Sequence, residues 1–194
     1  MRSLFAGSNL AIALLASFIV AVSVGCSAST EKKISATSGS DYPRGLDGGS
    51  SKESRLEAEN RRMLAELQSR GAEARQSSRG IVVDLPDVYF DFNKSVVRPV
   101  GSNIIKQVAE VVLTGSRYRP IAVEGHTDSV GSSSYNRRLS MLRARAVSHE
   151  LVAYGLNARQ IAARGFGESR PISTNTTDEG RQKNRRVEVY IENY

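Results

Sequence analysis

The chain has 194 residues, enough for one domain of ordinary size plus tails, and its 40% hydrophobic and 24% charged content is ordinary for a folded protein. A net charge of +7 would suit nucleic acid or an anionic polymer. From Ile81 onward, however, 16 Lys and Arg face 12 Asp and Glu, and no block of consecutive basic residues occurs, so nucleic acid is not expected as a partner. The single cysteine, Cys26, excludes an intrachain disulfide.

Met1 and Arg2 precede an apolar run, LAIALLASFIVAVSV, from Leu10 to Val24. It falls short of the roughly 20 residues of a membrane-spanning helix, and a charged start before such a run reads as a secretory signal over residues 1–25. Ser23-Val24-Gly25-Cys26 resembles a bacterial lipobox, with Ser23 where Leu is usual. That resemblance implies lipidation of Cys26, which becomes the mature N-terminus and holds the chain on a membrane. Ser27, not Asp, follows the cysteine, a pattern that resembles the signal for the outer membrane.

Residues 26–51 are rich in Ser, Gly, Thr and Asp and are expected to form a flexible tether. Residues 52–79 have high helix propensity, with a narrow stripe of Leu56, Met63, Leu64 and Leu67. They are expected to form an exposed, charged spacer helix or a short coiled-coil segment.

The folded domain is expected over residues 80–194. Ile81–Leu85 and Val88–Phe92 are strand-like, with Pro86-Asp87 as a turn or bulge between them. Pro99 opens a helix with a stripe of Ile104, Ile105, Val108, Val111 and Val112, and Gly115 stops it. Ile121–His126 is a strand, and Ser140 is expected to cap a helix that Gly155 closes. A shorter turn is expected from Ser132 to Arg138. Ile161–Gly165 is a short strand, and one helical turn is expected around Asp178–Gln182. In the last strand Val187, Val189 and Ile191 alternate with Glu188, Tyr190 and Glu192, which predicts one wet face. The predicted fold class is α+β: a two-layer sandwich of two main helices on a mixed sheet.

The stretch GHTDSVGSSSYNRRLSMLRA, Gly125 to Ala144, places an acid, Asp128, and a base, Arg143, at either end of a polar loop. With Ser140 as the cap, Arg143 falls in the first helical turn, where the dipole disfavours a cation by ~0.3–1 kcal/mol. A bound anion would explain it, gripped by the guanidinium and the free backbone N–H groups together. Asp128 would hold an ammonium. The competing reading is a plain Asp128–Arg143 surface ion pair, worth little.

Three stretches carry a resemblance: YFDFNKSVVRP (Tyr89–Pro99), VEGHTDSVGSSSYNRRLSMLRARAV (Val123–Val147) and RGFGESRPISTNTTDEGRQKNRRVEVYI (Arg164–Ile191). Together they resemble the OmpA C-terminal-domain family, which includes the peptidoglycan-associated lipoproteins. The resemblance implies an OmpA-like domain that binds peptidoglycan non-covalently. In that family an Asp and an Arg clasp the free amino-acid end of diaminopimelate, and they fall here on Asp128 and Arg143. It further implies pocket positions at Asp91, Thr127, Asn136 and Arg185, and location on the periplasmic side of the outer membrane.

Catalysis is not expected. Ser129 follows Asp128 and lies near His126, but it has no nucleophile-elbow context. His149 is the other histidine, and no ligand-spaced Cys/His set exists, so neither metal nor cofactor is expected. A protein partner in the envelope is the alternative role for the same domain.

Overall fold

The computed structural model describes residues 48–91 and 94–194. The expected signal peptide, Cys26 and most of the tether lie outside these residues. Among the described residues, four α-helices and five strands follow one another in the order α1 (Gly48–Ser69), β1 (Glu73–Ser77), β2 (Gly80–Pro86), α2 (Pro99–Gly115), β3 (Ile121–His126), α3 (Ser133–Ala153), β4 (Ile161–Gly167), α4 (Asp178–Asn184) and β5 (Arg186–Glu192). The sheet order is β1-β2-β5-β3-β4. β1–β2, β2–β5 and β5–β3 are antiparallel, and β3–β4 is parallel. This is the expected mixed-sheet α+β sandwich.

Alternation along the strands builds the core. Ile81, Val83 and Leu85 of β2, Ile121 and Val123 of β3, and Val187, Val189 and Ile191 of β5 face the helices. They meet Ile105, Val108 and Val112 of α2 and Ala144, Val147 and Leu151 of α3. Pro99 stands at the start of α2, where its missing N–H costs nothing. α3 lies almost on the backbone of β3 and β4. A Cβ on Gly125 would sit 2.1 Å from the Ser140 carbonyl oxygen, and one on Gly165 would sit 2.4 Å from the Met141 nitrogen.

Several expectations are corrected. The expected exposed spacer helix over residues 52–79 packs on the domain. Met63 and Leu67 of α1 are buried in the common core, and residues 73–77 form the strand β1, paired with β2. The folded unit therefore begins before residue 80. Val88 does not start a strand: residues 87–89 form one 3-10 turn, and Phe90 makes a single bridge to Val97.

The helix expected to start at Ser140 starts at Ser133. Ser132 is its cap and accepts from the Tyr135 N–H at 3.3 Å. The separate turn expected over Ser132–Arg138 is this helix's own beginning. Ser140 lies inside it. Its hydroxyl donates to the Arg137 carbonyl at 2.9 Å and accepts from the Gly167 N–H at 2.9 Å, tying α3 to β4.

The expected wet face of β5 is covered. Glu124, His126 and Glu188 are buried there beneath arginines, with Arg79 lying 4.0 Å over the Tyr190 ring and Arg170 3.6 Å over the Phe166 ring. The aliphatic stems and flat guanidinium groups shield the acids that their charges neutralise.

Candidate functional site

At the C-terminal ends of β2 and β3, a cavity of about 560 Å³ opens between the sheet and α3. Its lining includes Asp87, Thr127, Asp128, Tyr135, Asn136, Leu139, Arg143, Arg181 and Arg185. Five of the six sequence-predicted ligand residues therefore meet it: Thr127, Asp128, Asn136, Arg143 and Arg185. Asp91 does not line the cavity; its carboxylate lies half exposed, 3.9 Å from Lys94 Nζ.

Each wall has its own origin. β3 ends at His126, and the next two residues, Thr127 and Asp128, turn into the cavity. The Thr127 N–H donates to the Gly167 carbonyl at 2.9 Å, which fixes this turn on β4. Asp128 is 7% exposed, and its Oδ1 accepts the Val130 N–H at 3.0 Å. Asn136, in the first turn of α3, donates to the Asp128 carbonyl at 3.3 Å and also to Glu168. Hydrogen bonds from Ser133 and Asn136 hold the Glu168 carboxyl below its usual range. The Thr127 hydroxyl is buried and has no hydrogen-bond partner among the described residues.

Arg143 sits in the third turn of α3, not at its N-terminus, so the dipole argument for an anion does not apply to it. Burial supplies a stronger one. The residue is 3% exposed, its Nε donates to the Lys94 carbonyl at 3.0 Å, and its guanidinium lies 5.2 Å from the Phe90 ring centroid. A guanidinium so held is rigid, dry and bidentate in form, which suits a carboxylate.

Asp128 and Arg143 are not paired with each other. Arg143 Nη2 lies 2.6 Å from Asp87 Oδ1. Arg185 Nη1 donates to Asp128 Oδ2 at 2.7 Å, and its Nε donates to Asp87 Oδ2 at 3.1 Å. Burial alone would lower the Arg185 pKa, but hydrogen bonds and charge from Asp128 and Asp87 outweigh it and raise the pKa. The plain Asp128–Arg143 ion pair is therefore not formed.

Asp87, which lines the cavity and pairs with both Arg143 and Arg185, is not picked out by the sequence. Pro86-Asp87 read as a turn, and nothing in the linear spacing joins Asp87 to Arg185. The link is the β2–β5 register, which sets Pro86 opposite Arg186.

Among the described residues, Glu124, His126 and Glu188 bring donor atoms within 4.8 Å of one another on the far face of the sheet. Arg79, Arg170 and Arg186 already neutralise those carboxylates, so the trio does not fit a divalent cation.

Fold and site together define an α+β domain with buried opposite charges, Asp128 and Arg143, at one cavity rim. The chain belongs to the OmpA family, whose profile matches residues 89–185. It is 45% identical over 108 residues to outer membrane porin F of Pseudomonas fluorescens, covering 55% of this chain and 32% of that one. It is 32% identical over 137 residues to "Probable lipoprotein YiaD" of Escherichia coli, covering 70% and 62%. The chain thus spans less than two thirds of the length of either relative. Among solved structures, the cell wall anchor of the T6SS from Pseudomonas aeruginosa superposes with a TM-score of 0.58 at 27% identity, covering 69% of this chain and 96% of that one. No helix among the described residues is long and apolar enough to cross a membrane.

Proposed function

We propose that this domain binds peptidoglycan non-covalently through the free amino-acid end of diaminopimelate in the stem peptide. Asp128 receives the ammonium and Arg143 the carboxylate, with Thr127, Asn136 and Arg185 completing the rim. The observation that carries this reading is the pair of buried, opposite charges opening on one cavity, each held by its own contacts. Membership in the OmpA family and the likeness to a cell wall anchor support it. Asp91, away from the cavity, has a place in this reading only on the resemblance.

Cys26 carries the lipid in this proposal and holds the chain in the outer membrane, with the domain in the periplasm and residues 27–47 as the tether. The run ending in Val24-Gly25-Cys26 and the likeness to a lipoprotein support this part. The test is co-sedimentation with purified sacculi. Retention of the wild type without release of soluble fragments supports a binder. Released fragments would mean a wall-acting enzyme, and no retention would favour a protein partner in the envelope.

A further inference from the structure

Four of the five charged residues lining the cavity form a chain, Arg143, Asp87, Arg185 and Asp128, each next to its opposite at 2.6, 3.1 and 2.7 Å, while the fifth, Arg181, pairs with Asp178. The two inner members are locked by backbone as well, since the Asp87 N–H donates to the Arg185 carbonyl at 3.0 Å. On the proposed reading of the pocket, the outer members are the ligand's two contacts. In the free domain Asp87 therefore stands where the ligand's carboxylate belongs, and Arg185 stands where its ammonium belongs.

We propose that Asp87 determines specificity by competing with the ligand's carboxylate for Arg143, with Arg185 as the matching competitor on Asp128. The inference rests on the peptidoglycan reading above. Binding is then an exchange of partners. A zwitterion displaces Asp87 from Arg143 and Arg185 from Asp128. The displaced carboxylate and guanidinium keep their own contact, so no charge is left buried and alone. A ligand with only one of the two charges completes only half of the exchange, so the pocket favours a group that carries both.

A competitor that occupies Arg143 about nine-tenths of the time lowers apparent affinity about tenfold. The full chain in detergent micelles is titrated calorimetrically with the tripeptide L-Ala-D-Glu-diaminopimelate and with the same tripeptide carrying lysine, which lacks the second carboxylate. Asp128→Asn is the control for the pocket. The expected result is that Asp87→Asn binds the diaminopimelate peptide about tenfold more tightly, leaves the lysine peptide unchanged, and melts at a lower temperature without ligand. A purely structural role for Asp87 would not give a gain confined to the carboxylate-bearing ligand. Weaker or unchanged binding of the diaminopimelate peptide by a folded Asp87→Asn protein overturns the competition while leaving the pocket reading intact, provided the wild type binds and Asp128→Asn does not. Failure of the wild type to bind, or full binding by Asp128→Asn, overturns the pocket reading and this inference with it. Asp87→Ser, smaller and equally uncharged, repeats the comparison should Asp87→Asn not fold.

Discussion

Arg119 Nη1 donates to Asn60 Oδ1 at 2.6 Å, with the arginine side chain wholly buried between α1 and the end of the sheet. The same guanidinium donates to the Glu192 and Ile191 carbonyls at 2.7 and 3.1 Å and to Asn193 at 3.0 Å. Burial pulls its pKa down, and Glu59 pushes it back. One side chain thereby joins the helix before the sheet to the last strand of the chain. Arg119→Ala strands these acceptors and is expected to cost about 3–5 kcal/mol. Asn60→Ala is expected to cost about 1–3 kcal/mol. Thermal melts rank the two; a wild-type melting temperature for Arg119→Ala would mean that α1 does not dock.

That contact also shows where the sequence is silent. The strands β2, β3 and β5 are legible because Val and Ile alternate along them, and α2 is legible because its stripe is broad. α1 is legible as a helix, but its docking is not: its contact residues are Asn60, Met63 and Leu67, and the partner is an arginine that no hydrophobic pattern picks out. β1 reads Glu-Ala-Arg-Gln-Ser and has no strand propensity of its own; pairing with β2 creates it. Ser140 misleads because serine serves two ends, a helix cap or a buried hydroxyl between elements, and only the tertiary fold selects between them. The cavity's Asp128 and Arg143 are legible in the loop motif, whereas Asp87 needs the sheet register.

Asp128→Ala and Arg143→Ala are each expected to abolish sacculus binding while the domain stays folded. Each leaves one charge of the ligand unpaired, at a cost of roughly 2–5 kcal/mol in a dry site. Arg143→Lys is expected to rescue poorly, because an ammonium lacks the bidentate geometry. Sedimentation beside circular dichroism of the same proteins checks this; mutants that bind as wild type would remove the centre of the proposal.

Gly125→Ala is expected to act at a distance. The new methyl would press on the Ser140 carbonyl and push α3, with Arg143 on it, away from the sheet. The expected cost is about 1–3 kcal/mol or more in stability, with loss of diaminopimelate peptide binding even where the protein remains folded. A crystal structure of the variant with α3 unmoved would contradict the account of why glycine stands there.

Glu188 gives the pH prediction. Burial would raise its pKa, but the close approach of His126, whose Nε2 lies 3.5 Å away, the charge of Arg186 and a hydrogen bond from Tyr190 outweigh burial and lower it from 4.5 to about 2. Its ionised form is therefore favoured by folding. The stabilisation is fully present above the unfolded value and is lost as pH falls toward about 2. The melting temperature of the wild type is expected to drop across that window, and Glu188→Gln is expected to flatten the drop. Parallel acid profiles of the two proteins would count against it.

Cys26→Ala is expected to remove fatty-acid label and the processed, membrane-bound form of the protein. Metabolic labelling reads this directly, and equal label on both proteins would sink the lipid anchor.

The docking of α1 decides how the molecule would carry tension. Arg119 precedes β3 and Asp128 follows it, so helix attachment and cavity lie at opposite poles, about 20 Å of strand apart. A pull from a membrane anchor would enter at the N-terminal end of α1 and leave through a ligand at the far pole. Such a force would cross the sheet from Arg119 to Asp128, along β3. The contacts of Asn60, Met63 and Leu67, and the hydrogen-bond ladders of β2, β5 and β3, would then be sheared together instead of unzipped one at a time. On the proposed reading, the domain would then act as a link in series between its two attachments.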